Sequence, residues 1–507
     1  MSGPICEFVQ KYAASETIRM HMPGHKGRGP LQAELLDITE IAGADALYEA
    51  SGIILESEKN AAKLFGTRAT FYGTEGSSQM IRTMLYLAGL WAREKQRSKA
   101  GDRGADPRRI TILAARNVHK SFISAAALLD YDVEWVYGKE PSYLSCVITA
   151  EDLENSLKNS LKKTHRLPDA FFITSPDYLG KTADIRALKG VCRRYGVPFL
   201  VDNAHGAYLH FLSPARHPID LGADMTCDSA HKTLPVLTGG AYLHVAKAEK
   251  TGAMAGEEET FYRKMAEFFA ENARSGAALF GSTSPSYLIL QSLDACNDYL
   301  SGGYREKLAD CVRQVKKMKE RLKLRNVPVI ETEPLKICID AGEIGGGTRL
   351  ADDLRQAGIE CEFADPDFVV LMPSPANTPE ELKKLEEALK STASAESKGR
   401  EGEGAQSADF PDAAYGLERK RPEESDAKGS LCTPFCTEPE RVLSIREAVL
   451  SPKETIPVSE AVGRIASSCT VSCPPAVPIV VSGERISKEA AAVFSYYGIT
   501  EVEVVRS

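Results

Sequence analysis

Short apolar runs alternate with longer amphipathic segments through the middle of this chain. The runs at 110–115, 133–137, 170–174, 198–202, 225–228 and 241–245 have the length and residue types of buried strands. Helical spacing fills the intervals; over 79–93, Met80, Met84, Leu87 and Trp91 fall on one face. This alternation predicts an α/β fold, a mainly parallel sheet covered by helices on both sides, over about residues 56–300. Ligands of such sheets gather beyond the carboxyl ends of the strands.

The pattern changes on either side. Residues 1–55 read as an N-terminal arm, with His21-Met22-Pro23-Gly24-His25-Lys26-Gly27 too rich in Gly and Pro for a helix interior. A long amphipathic helix over about 304–324 opens a smaller α/β domain at 301–390, with strands expected at 335–340 and 368–372. Its last helix starts on Thr378-Pro379-Glu380-Glu381, a capping box with proline at the first helical position, and is expected to run to about 389. Residues 391–430 are small, polar and charged, cannot bury enough surface to offset ordering entropy, and read as a flexible linker. An α+β module is expected at 431–507, with strands at 477–481 and 501–505 and a helix at 488–497.

Composition narrows the class. In 507 residues, 43% hydrophobic and 26% charged describe a multidomain water-soluble protein. A net charge of -8 leaves no basic footprint for nucleic acid. No apolar run is long enough for a bilayer, so no membrane partner is expected. The first twenty residues lack the basic-then-apolar order of a secretory signal, and the cytoplasm is the expected compartment. The 12 cysteines are mostly scattered through apolar segments, as reduced thiols are. Cys432/Cys436 and Cys469/Cys473 loosely resemble zinc spacing, but no histidine lies near and Cys473 runs into Pro474-Pro475. No metal is expected.

Candidate chemistry collects at the expected strand ends. Lys232 stands in Ser229-Ala230-His231-Lys232-Thr233 after the 225–228 run, and Asp202 closes the 198–202 run. A lysine able to form a Schiff base and an acid able to keep a pyridinium nitrogen protonated are what a pyridoxal phosphate enzyme needs. Gly76, Ser77 and Ser78 open the 79–93 helix, where free N–H groups and the positive dipole end favour phosphate; the same residues also make a plain helix cap. His119, just past the 110–115 run, could stack on the pyridine ring or belong to an ordinary polar loop. Asp177 and Ser175 sit in good turn material, Ser175-Pro176-Asp177-Tyr178. His205 could orient Asp202 or meet the ring's hydroxyl side, and Ser229 and His231 could add phosphate contacts. Gly281-Ser282-Thr283-Ser284-Pro285-Ser286-Tyr287 offers further hydroxyls ahead of a helix.

The chain order phosphate loop, histidine, strand-end Asp, Lys resembles fold-type I pyridoxal phosphate enzymes. The strings Met22-Pro23-Gly24-His25-Lys26, Asp37-Ile38-Thr39-Glu40, Arg116-Asn117-x-His119-Lys120-Ser121, Asp202-x-Ala204-His205-Gly206-Ala207, Ser229-x-His231-Lys232-Thr233-Leu234 and Thr283-Ser284-Pro285-Ser286-Tyr287 resemble the Orn/Lys/Arg decarboxylase family. Ser444-Ile445-Arg446-Glu447-Ala448 resembles its C-terminal domain. Asn203 departs from the Glu that many members carry there.

The resemblance implies a large seven-stranded domain and a homodimer or larger assembly with active sites at the interface. It implies Lys232 as the Schiff-base lysine, Asp202 on the pyridine nitrogen, His119 stacked on the ring, and Ser77, Ser78, Ser229 and His231 around the phosphate. It implies decarboxylation of arginine, lysine or ornithine, with Lys232 or His231 returning a proton to Cα. Asp45, Glu75 and Asp177 are candidate partners for the substrate's distal cation. The alternatives are other reactions on the same scaffold, for which Arg349 or Arg355 could bind a carboxylate, and a silent scaffold protein.

Overall fold

A computed structural model describes residues 3–100, 108–138, 144–248, 257–399, 438–468 and 477–506. Seven strands make the central sheet: β1 (Ala69–Gly73), β2 (Thr111–Ala115), β3 (Asp132–Val136), β4 (Ala170–Thr174), β5 (Phe199–Asp202), β6 (Met225–Asp228) and β7 (Ala241–Val245). Their order is β1-β7-β6-β5-β4-β2-β3. Strands β2 to β6 run parallel, and β7 is antiparallel to both β6 and β1. The fold is α/β, as expected. Strand β1 was not legible from hydrophobic pattern, because Ala69-Thr70-Phe71-Tyr72-Gly73 mixes polar and apolar residues. Pairing with β7 makes it a strand, and the Thr70 hydroxyl meets His244 Nδ1 at 2.8 Å.

Both faces of the sheet are covered, which is why β2, β4 and β5 are almost wholly apolar. On one face, Met80, Met84, Leu87 and Trp91 of the helix Gly76–Ala100 pack with Phe122 and Phe172. On the other, Leu153 and Leu157 from Ala150–Thr164 and Leu188 and Val191 from Ile185–Tyr195 pack on Phe171 and Phe199. The helix Pro4–Ala13, inside the stretch expected as an arm, buries Ile5 and Val9. Its Cys6 N–H donates to Asp294 at 2.9 Å.

A second sheet holds β8 (Ile337–Asp340), β9 (Phe363–Ala364) and β10 (Phe368–Leu371), antiparallel in the order β8-β10-β9. A third pairs β11 (Lys453–Pro457) with β12 (Glu501–Val505), and the helix Lys488–Tyr496 lies between them in the chain.

Two expectations need correction. Residues 477–481 form no strand. The Pro478 and Ile479 carbonyls accept from the Arg116 guanidinium at 3.1 and 3.3 Å, and Val481 N–H donates to Glu484 at 2.7 Å. Side chains thus satisfy three of these backbone groups, Val480 makes only a single bridge, and Pro478 has no N–H to give a longer ladder. The helix Pro379–Gly399 also runs past 389 into the expected linker, where alanine, glutamate and lysine sustain it. The rest of that linker, 400–430, and all four cysteines of the weighed zinc pattern lie outside the described residues. Among the described residues no helix is long and apolar enough to cross a membrane.

Candidate active site

The carboxyl ends of β1, β2, β4, β5 and β6 open on one cavity of about 310 Å³. Gly76, Ser77, Ser78, His119, Asp202, His205, Ser229, His231 and Lys232 all line it. Residues more than 150 positions apart meet here because parallel strands send their ends to the same edge.

One end is lined by a helix start and hydroxyl groups. The helix Gly76–Ala100 begins at this wall, and first-turn N–H groups have no partner within a helix. Gly76 turns at φ 69° and donates its own N–H to Gly239 O at 2.7 Å. A side chain at Gly239, itself at φ 102°, would put Cβ 2.7 Å from Thr74 O, so two glycines let the two loops meet. Ser229 Oγ donates to Ser77 Oγ at 2.8 Å, joining the loop after β6 to the helix start. His231 Nδ1 lies 2.9 Å from Gly240 O, a pure acceptor. Its Nδ1 therefore carries hydrogen, and in the neutral ring Nε2 is left as an acceptor.

At the other end, Asp202 closes β5 with its side chain buried. Oδ1 accepts from Ala204 N–H at 3.1 Å and lies 3.6 Å from Cys227 Sγ; among the described residues no hydrogen bond reaches Oδ2. Burial raises this carboxyl to about 6, against the pull of Ala204 N–H and of Lys232. Among the described residues, two buried atoms on the cavity wall, Thr174 Oγ1 and Asn117 Oδ1, likewise have no partner. Unpaired buried polar atoms are rare, and several on one wall mark a surface made for a polar ligand.

His119 caps the helix Lys120–Leu129, its Nδ1 accepting Ser121 N–H at 3.2 Å. Nε2 then carries the hydrogen of the neutral ring. Burial, with Lys232, Lys120 and Arg82, pushes its pKa down to about 3. Lys232 sits in the short helix Ala230–Thr233, and burial lowers its pKa, while Asp202, Glu362 and Cys227 favour its charged form. Its Nζ is 3.0 Å from His205 Nε2.

The candidate partners for a distal cation separate. Asp45 lies off the cavity and accepts from the N–H groups of Ala46, Ser51, Gly52 and Ile54, a loop-organising role. Asp177 is buried behind the wall, where Ser145 Oγ donates at 2.6 Å and burial raises its carboxyl to about 6. Glu75 does line the cavity and accepts from Ser282 N–H. That bond is how the 281–287 segment reaches the site; Tyr287 turns away and pairs with Asp45. Arg349 and Arg355 are exposed and line no part of the cavity. Ser175 is buried and holds Ala183 N–H.

Four contributors escaped sequence reasoning. Tyr178 packs edge-on against the His205 ring at 5.2 Å, and Val477 brings the C-terminal residues to the cavity wall. Glu362 is within electrostatic reach of Lys232 and His231 and accepts from Tyr178 Oη at 3.4 Å. Lys336 is fully buried beside His205. A lone lysine in the apolar run Pro334-Leu335-Lys336-Ile337-Cys338 is the signal that could have found it, since lysine is almost never fully buried unless paired.

Behind Asp202, the buried Asp228 gathers His217 Nε2 at 2.9 Å, His244 Nε2 at 3.2 Å and Asn203 Nδ2 at 2.7 Å. Ile219 N–H donates to His217 Nδ1, so Nε2 of that neutral ring holds a hydrogen and offers no lone pair to a metal. Asparagine at 203 gives Asp228 a donor where glutamate would bring a second buried carboxylate.

Comparisons with known proteins identify the family. The Orn/Lys/Arg decarboxylase major-domain family matches residues 3–340, and the Orn/Lys/Arg decarboxylase C-terminal domain matches 435–503. The chain is 28% identical to uncharacterized protein YaaO of Bacillus subtilis (strain 168), over 97% of this chain and 93% of that protein. It is 24% identical to an arginine decarboxylase of the same organism, over 96% of this chain and 91% of that one. The Francisella novicida lysine decarboxylase LdcF has a similar fold, with a TM-score of 0.73 at 15% identity, covering 99% of this chain and 81% of that one.

Proposed function

The chain belongs to the Orn/Lys/Arg decarboxylase family, and we propose that it removes the α-carboxyl group of arginine, lysine or ornithine with pyridoxal phosphate held at Lys232. One observation carries this reading: an anion-binding helix start, a neutral imidazole, a buried carboxylate and a buried amine share one cavity. The unpaired Oδ2 of Asp202, Thr174 Oγ1 and Asn117 Oδ1 suit a ligand with polar groups around its rim.

When bound, the cofactor supplies an electron-accepting ring for the charge left on Cα as CO2 departs. Ser77 and Ser78 would hold its phosphate with backbone N–H groups, in the turn that Gly76 shapes with its own N–H on Gly239 O, and Ser77, Ser229 and a protonated His231 would add side-chain donors. Asp202 would accept the pyridine N–H, and its negative charge keeps that proton in place. His119, neutral at working pH, would lie against the ring, and His205 would belong to the same inner set. Lys232 would be the point of covalent attachment, and a lowered pKa leaves more of it nucleophilic. Lys232 or His231 would return a proton to Cα. Glu75 and Glu362 are the acids that suit a distal cation.

We also read the arm as the seam of a homodimer. Met20 is 85% and Leu31 81% exposed, and Ile18, Met22 and Leu35 are exposed beside them in sequence. Such apolar exposure favours a second copy of the chain as its cover. The division into arm, large domain, small domain, linker and C-terminal module, and a cytoplasmic location, belong to the same proposal.

The test is CO2 release from each of the three amino acids, with pyridoxal phosphate and a Lys232→Ala control. Gas above the control from at least one of them is expected. Equal release from both proteins would overturn the assignment.

A further inference from the structure

Lys336 is a buried cation that the reaction so far leaves unused. It lies just before β8, with no exposed surface. Its Nζ is 3.1 Å from Tyr178 O, 3.5 Å from Asp177 O and 3.1 Å from His205 Nδ1. Two of these are carbonyl oxygens, which only accept. An ammonium has three N–H donors and no lone pair, so the third hydrogen goes to Nδ1. An imidazole that accepts on Nδ1 carries its own hydrogen on Nε2. That Nε2 is 3.0 Å from Lys232 Nζ, and it can donate only to an amine with a free lone pair.

The surrounding loop is shaped for this side chain. Gly180 turns at φ 93°, and a Cβ there would stand 2.9 Å from Lys336 Cδ and 3.0 Å from Thr332 Cβ. Glu333 N–H donates to Gly180 O at 2.7 Å, fastening the strand entry to the loop that supplies the two carbonyls.

We propose that Lys336 is a positioning residue: it sets the tautomer of His205, so that Nε2–H faces Lys232 and holds the Lys232 amine as an acceptor. The direction of donation runs from Lys336 through His205 to Lys232. This deepens the reading above, since it concerns the amine assigned to the cofactor.

Charged groups facing the three residues are consistent with that direction. Glu333, Asp177 and Cys338 favour charged Lys336, while burial and Lys232 oppose it and bring its pKa to about 8. It therefore stays mostly an ammonium at neutral pH. Burial, then Lys232, Lys336, His119 and His231, keep His205 neutral. Asp202, Glu362 and Cys227 favour charged Lys232, and burial opposes them. Above the Lys336 pKa the constraint lapses, because a neutral amine can instead accept from Nδ1–H.

Two measurements on the cofactor-free full chain test this. The first is the 15N spectrum of histidine-labelled wild type, with His205 assigned by comparison with His205→Gln. Hydrogen on Nε2 at pH 7 is expected; hydrogen on Nδ1 overturns the proposal and needs no folded variant of Lys336. The second is competitive acetylation of Lys232 against pH, read by peptide mass spectrometry. Lys336→Met should move the half-point upward by about one pH unit. Lys336→Arg, which keeps the charge and the donors, should hold it near the wild-type value. An unmoved half-point in folded Lys336→Met, or an equal shift in both variants, overturns the proposal. Neither measurement depends on turnover, so failure here and failure to release CO2 are separate results.

Discussion

The Arg116 guanidinium donates to the Glu484 carboxylate at 3.0 Å, with both side chains buried. This pair fastens the loop that carries His119 to the C-terminal residues, and the same guanidinium holds the Pro478 and Ile479 carbonyls. Val477, one residue earlier, lines the cavity. Removing one partner leaves the other buried and unpaired. Arg116→Ala should therefore cost about 3–5 kcal/mol, read by urea unfolding. Activity should fall with it, because His119 loses its support from this side. A variant as stable and active as wild type would show that the pair is dispensable.

Asp202→Asn keeps the shape of the β5 end and removes its charge. If the carboxylate stabilises a positively charged ring nitrogen during turnover, kcat should fall by about 10²–10³. Cofactor absorbance should persist, since the helix start and Lys232 are untouched. A loss of cofactor with no change in kcat per loaded site would assign Asp202 to binding alone.

His119 should make stability depend on pH. Its folded pKa of about 3 lies below the usual value for histidine, so between these two the unfolded chain binds more protons. Stability from this residue is full near pH 7 and is lost as pH falls toward 3, by up to about 1.4 kcal/mol per pH unit. Unfolding at several pH values, compared with His119→Gln, should show a wild-type advantage that shrinks on acidification. A constant difference would mean the ring is charged in the native state or exposed.

Asp228 should behave as a hydrogen-bond hub and not as a metal ligand. Dialysis against a chelator should leave the melting temperature unchanged, because the His217 tautomer offers Asp228 a hydrogen and leaves no lone pair at Nε2. Asp228→Asn should cost about 1–3 kcal/mol, since an amide cannot accept from three donors as a carboxylate does. A tightly bound divalent ion in purified protein would contradict this account.

Much of the fold was readable before any coordinates. Strands β2 to β7 announced themselves as mainly apolar runs because both faces of the sheet are covered, and a buried polar residue there, such as Asp228 or His244, needs a hydrogen-bond partner. Strand β1 did not, because Thr70 faces His244, a partner 174 residues away. The 477–481 run misled for the opposite reason: it is apolar because it is buried, yet Arg116 and Glu484 meet its polar backbone atoms where a strand would need a neighbour.

The site divides in the same way. Lys232, Asp202, His119, His205, Ser229, His231 and the Gly76–Ser78 turn were nameable from residue type and order, since the turn opens a helix and each of the others follows an apolar run where a parallel sheet collects ligands. Which acids stand near a distal cation, which tautomer each histidine holds, and that Lys336 lies behind His205 were decided only by tertiary contacts. Local sequence reports on neighbours a few residues away and on the period of burial. A hydrogen bond between Lys336 and His205 joins positions 131 apart, and no local pattern encodes it.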